Sequence, residues 1–151
     1  MALRRLGFIV SLLVLFGSTY LLLTGSPVLL YPASESPGIP MGTLITWLGF
    51  LSLPAMAYFA FPNLLKKGTP LQKWLRAAWI IGLLLAACWP FISYFLAANW
   101  SYSFDGSREA FRGSDRAGVY FNYLNIVTLL WPLLVLTGLT LDRIWGRVRS
   151  R

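Results

Sequence analysis

Three arginines, Arg108, Arg112 and Arg116, recur every four residues in the segment NWSYSFDGSREAFRGSDRAGVY, residues 99–120. A guanidinium carries a planar fork of donors that matches a carboxylate or a phosphate. On a short turn opened by Ser107 and closed by Gly113, Arg108 and Arg112 would share one face. Phe104 and Phe111 flank them and are placed to dip into a membrane surface. The segment is a candidate docking surface for a partner, or an anion site. The competing reading is a self-neutralised loop, because Asp105, Glu109 and Asp115 are interleaved with the arginines.

A second polar group follows directly. Asn122, Asn125 and Thr128 are three residues apart and fall on one face of a helix, with Tyr123 beside them. Tyr94 and Ser93, near the end of the preceding apolar run, are expected at a similar depth. Buried amides in an apolar setting are costly unless paired. The cluster is therefore either an interhelical hydrogen-bond clamp or the lining of a small polar pocket. Such a pocket would take a quinone, a lipid headgroup or a solute.

Beyond these two groups the chemistry is thin. The chain has no histidine and a single cysteine, Cys88, which stands in an apolar run. Bis-His haem, Ser-His and Cys-His catalysis, intrachain disulfides and multi-cysteine metal sites are all excluded. The acids are Glu35, Asp105, Glu109, Asp115 and Asp142, and no ligand-like spacing links them. We expect no catalytic residue, no metal site and no cofactor, and read the chain as a non-enzyme.

What positions these residues is set by composition. Of 151 residues, 57% are hydrophobic and 12% charged, and the mean hydropathy is +0.64. A soluble domain carries roughly twice that charge. Four runs approach the roughly 20 residues that cross a bilayer: about 6–23, 42–61, 77–98 and 121–141, none containing Asp, Glu, Lys or Arg. They are continuous rather than alternating, which excludes a transmembrane barrel. The expected fold is an all-α integral membrane protein of one domain. It is a four-transmembrane-helix bundle with connections at 24–41, 62–76 and 99–120 and a tail at 142–151. The first run follows a basic Arg4-Arg5 start but exceeds a signal-peptide core and lacks an A-x-A site, so we expect an uncleaved helix.

Basic residues set the expected orientation. Arg4, Arg5, Lys66, Lys67, Lys73, Arg76, Arg143, Arg147, Arg149 and Arg151 fall on one side, against Arg108, Arg112 and Arg116 on the other. By the positive-inside rule both termini are cytoplasmic, and the longer loop between helices 3 and 4 is extracytoplasmic. The net charge of +8 thus serves topology and anionic headgroups rather than nucleic acid. Trp74 and Trp145 mark one interface, and Trp100, Tyr102, Tyr120 and Tyr123 the other.

Other features concern packing. Pro27, Pro32, Pro37 and Pro40 crowd the first external loop and argue for extended or turn backbone there. Pro54, Pro90 and Pro132 fall inside the apolar runs, where neighbouring helices must satisfy the freed carbonyls. Ala78, Gly82 and Ala86 make a small-residue ladder that places this face against another helix, internal or a partner's.

With no ionisable group inside the runs, an ion-coupled path has no markers. The expected function is therefore contact with other proteins. This covers an accessory or assembly subunit of a larger membrane complex, or a membrane-embedded immunity or inhibitor protein. The alternative is a small non-ion-coupled transporter or a lipid- or quinone-binding protein. The expected partners are membrane lipids and either a membrane protein or a second copy. The expected location is a bacterial inner membrane.

Overall fold

The computed structural model describes residues 2–34, 38–64, 69–100, 104 and 111–149. In chain order these form α1 (Ala2–Leu23), a 3-10 turn (Pro27–Leu30), β1 (Pro32–Ser34), β2 (Ile39–Pro40), α2 (Met41–Ala60), α3 (Pro70–Ala97) and α4 (Asp115–Arg149). All four α-helices are long and apolar enough to cross a membrane.

The helices overrun the apolar segments at charged ends. α3 begins at Pro70 rather than at 77, because Thr69 caps it: its Oγ1 accepts from the Gln72 N–H at 3.3 Å. Proline in the first turn costs no hydrogen bond, since that N–H has no intrahelical partner. α4 begins at Asp115 rather than at 121, behind Ser114, whose Oγ accepts from the Ala117 N–H at 3.2 Å. Asp115 in the first turn also complements the helix dipole. α4 then continues past Leu141 to Arg149. Charge ends an apolar run but does not end a helix.

The proline-rich connection after α1 combines turn and extended backbone. Gly25, at φ +59, closes α1. Its N–H donates to Leu22 O at 3.3 Å and the Ser26 N–H to Leu21 O at 3.1 Å, a Schellman ending that needs the left-handed conformation. Pro27 then opens a 3-10 turn, where its fixed φ is an advantage. β1 and β2 form a short antiparallel ribbon pairing Pro32 with Pro40, and among the described residues the other regular elements are helical. Residues 35–37, including Pro37 and Glu35, lie outside the described residues.

Packing is sequential. α1 packs on α2, α2 on α3 and α4, and α3 on α4, whereas α1 has no substantial packing with α3 or α4. The α1–α2 contact is made by small residues. A Cβ on Gly49 would stand 2.5 Å from Ser18 Oγ, and one on Gly7 would stand 2.6 Å from the Phe59 ring. Ser11 and Ser18 are the buried residues of α1, and their hydroxyls donate to Gly7 O and Val14 O within the helix. Close backbone approach through Gly and Ser substitutes for the hydrophobic drive that lipid cannot provide.

The other three helices are bolted by tryptophans. Trp79 Nε1 on α3 donates to Pro54 O on α2 at 2.8 Å. Trp131 Nε1 on α4 donates to Ala78 O on α3 at 2.7 Å. Trp89 Nε1 on α3 donates to Asn125 Oδ1 on α4 at 2.8 Å. Near the end bearing the termini, Ala57, Leu64, Val135 and Leu139 make an apolar core with Trp79 and Trp131 against it. Elsewhere large apolar side chains face outward, such as Phe95 at 86% and Leu13 at 65% exposure, as lipid-facing surfaces do.

Candidate functional site

A cavity of about 660 Å³ lies between α1, α2 and α4. It exists because α1 leans on α2 alone and leaves a gap beside α4. Its floor is buried: Leu53 from α2, Trp89 from α3 and Phe121 from α4. Its rims are exposed: Thr19 and Leu23 on α1, and Asn122, Ile126 and Leu129 on α4. The mouth therefore lies between α1 and α4. Phe104 closes over the start of α2, where a Cβ on Gly42 would meet its ring at 2.8 Å.

The polar residues at this cavity are Ser18, Thr19, Thr46, Asn122 and Asn125, with the indole of Trp89. No Asp, Glu, Lys or Arg is among the described lining residues. An indole N–H can only donate, so Asn125 must turn its Oδ1 to Trp89. That leaves the Asn125 Nδ2 with two protons to donate elsewhere. Ser18 Oγ is satisfied by Val14 O at 2.7 Å. Thr46, 8% exposed, has a buried Oγ1 with no hydrogen-bond partner in the protein. Phe50 meets the Trp89 ring edge-on at a centroid distance of 5.2 Å and lines the same space.

The residues singled out in the sequence divide into separate groups. Asn122 and Asn125 reach the cavity. Thr128 does not line it; it is 1% exposed, and its Oγ1 is buried without a partner. Tyr123 faces outward, 61% exposed, and Tyr94 instead stacks on Trp100 at 4.4 Å. Neither tyrosine joins the amides at the cavity. Ser93 is buried and donates to Pro90 O at 2.9 Å.

Arg108, with Asp105, Ser107 and Glu109, lies outside the described residues, as does most of the turn expected there. Residues 111–114 are not helical. Arg112 and Arg116 are both exposed, and the Arg112 backbone N–H donates to Ala97 O at 3.0 Å. Phe111 packs edge-on to Phe121 at 6.3 Å, and Phe104 covers the cavity, so these two rings sit on protein. Ala78, Gly82 and Ala86 lie on α3; a Cβ on Gly82 would stand 3.0 Å from Trp131 of α4, and Ala86 is fully buried.

Most of the described cavity wall escaped the reading of the chain, in which only Phe104, Asn122 and Asn125 stood out. Ser18, Thr46 and Gly49 come from α1 and α2, whose small and hydroxyl residues look like ordinary membrane-helix composition. The available signal was the spacing of Gly7, Ser11 and Ser18 down one side of α1.

A second cavity of about 280 Å³ lies at the end bearing the termini, between the segment after α2 and the last turns of α4. Gln72 Nε2 donates to Asp142 Oδ2 there at 2.8 Å, and beside it Arg76 Nε donates to Leu64 O at 3.0 Å. Its polar groups thus tie α3 to α4 and to the end of α2. Among the described residues no cluster of His, Cys, Asp and Glu could hold a metal.

Set against models of protein families, curated proteins and solved structures, the chain matches none of them, and its function is argued from the cavity between α1, α2 and α4.

Proposed function

We propose that this chain is a small integral protein of a bacterial inner membrane that works by binding, and that it holds a lipid-soluble small molecule in the cavity between α1, α2 and α4. The observation that carries this reading is the cavity itself. It measures about 660 Å³, has a buried aromatic floor and an exposed mouth between two helices, and offers a few hydrogen-bonding side chains. Ligand pockets run to roughly 300–1,000 Å³ and combine such apolar walls with few polar groups. A mouth between two membrane helices admits a ligand from the bilayer.

Charge supports the orientation. Ten of the thirteen Lys and Arg residues belong in sequence to the two terminal segments and the 62–76 connection, which supports cytoplasmic termini and a cavity in the outer half of the bilayer. The test is native mass spectrometry of the gently extracted protein. A co-purifying small molecule is expected on the unaltered chain. It should be lost in Ile126→Trp, which fills the mouth from an exposed position. The same spectra from both proteins without any small molecule would refute the reading.

A second reading, an accessory or assembly subunit or an immunity protein, is favoured by one feature of α1. This helix is held by α2 and leaves Leu13, Phe16 and Tyr20 facing outward. A helix of a partner protein could lie on that face. A stoichiometric heteromer in the same spectra would favour it.

A further inference from the structure

The hydrogen-bonding inventory of the main cavity narrows its ligand, given the reading that the cavity binds one. Its described lining residues bring no formal charge, so against them a phosphate, carboxylate or ammonium head would be desolvated without compensation. Among the groups left to pair, Asn125 offers donors, whereas Asn122 and Thr46 can donate or accept. Asn125 spends its Oδ1 on the Trp89 indole and keeps its Nδ2 protons. Asn122 brings an amide at the rim, and Thr46 brings a buried hydroxyl without a protein partner. Around them stand the rings of Phe50, Trp89, Phe104 and Phe121, which favour a flat, conjugated guest. Deeper toward the middle of the helices the walls turn to Leu15, Leu53 and Leu129.

We infer that the ligand is an uncharged amphiphile with a planar carbonyl-bearing ring and an apolar tail, the chemistry of a prenylated quinone. The ring carbonyls accept from Thr46, Asn122 and Asn125, and the tail leaves between α1 and α4 into lipid.

The test uses the purified full chain in a neutral detergent, with decylubiquinone as the probe and quenching of tryptophan emission as the signal. Saturable quenching is expected. Thr46→Val combined with Asn122→Leu should weaken it at least tenfold, while Thr46→Ser, which keeps the hydroxyl, should stay near the unaltered protein. Neither position carries packing that the folded bundle depends on through a hydrogen bond, and circular dichroism of each variant checks the helices. Decylbenzene, with the ring and tail but no carbonyls, should displace the probe only at far higher concentration. Equal displacement by decylbenzene, or tighter displacement by decanoate, would overturn the quinone assignment while leaving the cavity a binding site. No saturable binding of any of the three, with no small molecule in the native spectra, would overturn both.

Discussion

Trp89 Nε1 lies 2.8 Å from Asn125 Oδ1, and this single bond joins α3 to α4 at the floor of the main cavity. Both partners need it. Trp89 is 2% exposed, so its N–H has no access to water, and an unpaired amide beside lipid is costly. The bond also fixes which way the Asn125 amide faces.

Asn125→Leu should therefore destabilise the bundle by about 1 kcal/mol, within the range found for interhelical hydrogen bonds in membranes. Trp89→Phe should cost more, because ring volume is lost as well. The double variant should cost less than the sum of the two. Denaturation in mixed micelles, run as a double-mutant cycle, reads this coupling. Strict additivity would mean that the two side chains do not interact in the folded protein.

Gly49 lies at a point of close approach between α1 and α2. Gly49→Val would drive a side chain into Ser18, so α1 should separate from α2 and the cavity wall should be lost. Adding Ser18→Gly should restore part of the stability by vacating that space. Disulfide cross-linking between cysteines placed on α1 and α2, in a Cys88→Ala background, reports the separation directly.

The other two tryptophan bolts combine packing with hydrogen bonding. Trp79→Phe and Trp131→Phe should each cost at least about 0.5–1.5 kcal/mol through the lost indole donor, with lost ring volume added to it. Gly82→Ile should cost more than either, because its Cβ would already stand 3.0 Å from Trp131 before the rest of the side chain is added. Thermal unfolding in detergent ranks the three.

Cys88 is exposed on the bundle, in the middle of a membrane-length helix. In the proposed membrane bundle lipid covers such a position. A membrane-impermeant maleimide should leave it unlabelled in intact vesicles from either side and react after denaturation. Cysteine placed at Ala33 in a Cys88→Ala background should label from the external side only, and rapid labelling from the cytoplasmic side would reverse the proposed orientation.

The number and rough extent of the membrane-length helices were legible because each is a continuous apolar run, a signal that needs no knowledge of neighbours. Their ends were less so. The start of α4 depended on Ser114 and Asp115, a capping pattern inside a polar stretch that also read as a loop. For the cavity, Asn122 and Asn125 stood out as amides in an apolar run. Tyr94 was grouped with them by depth and Tyr123 by adjacency in sequence, and neither says which way a side chain points. Thr46 and Ser18 could not be found that way, because hydroxyls in apolar helices routinely back-bond, as Ser18 does, and do not by themselves mark a site. Only the gap beside α4 makes them part of a site.

Every substantial neighbour of α1 lies before residue 61. During synthesis the first hairpin can complete its own contacts while the rest of the chain is still being made, since nearby partners close with little entropic penalty. α3 and α4 then dock on α2, each from later in the chain. The cavity is the seam between the part of the molecule made first and the part made last. It comes into being only when α4 arrives, so a chain halted before residue 115 would carry a settled hairpin and no binding site.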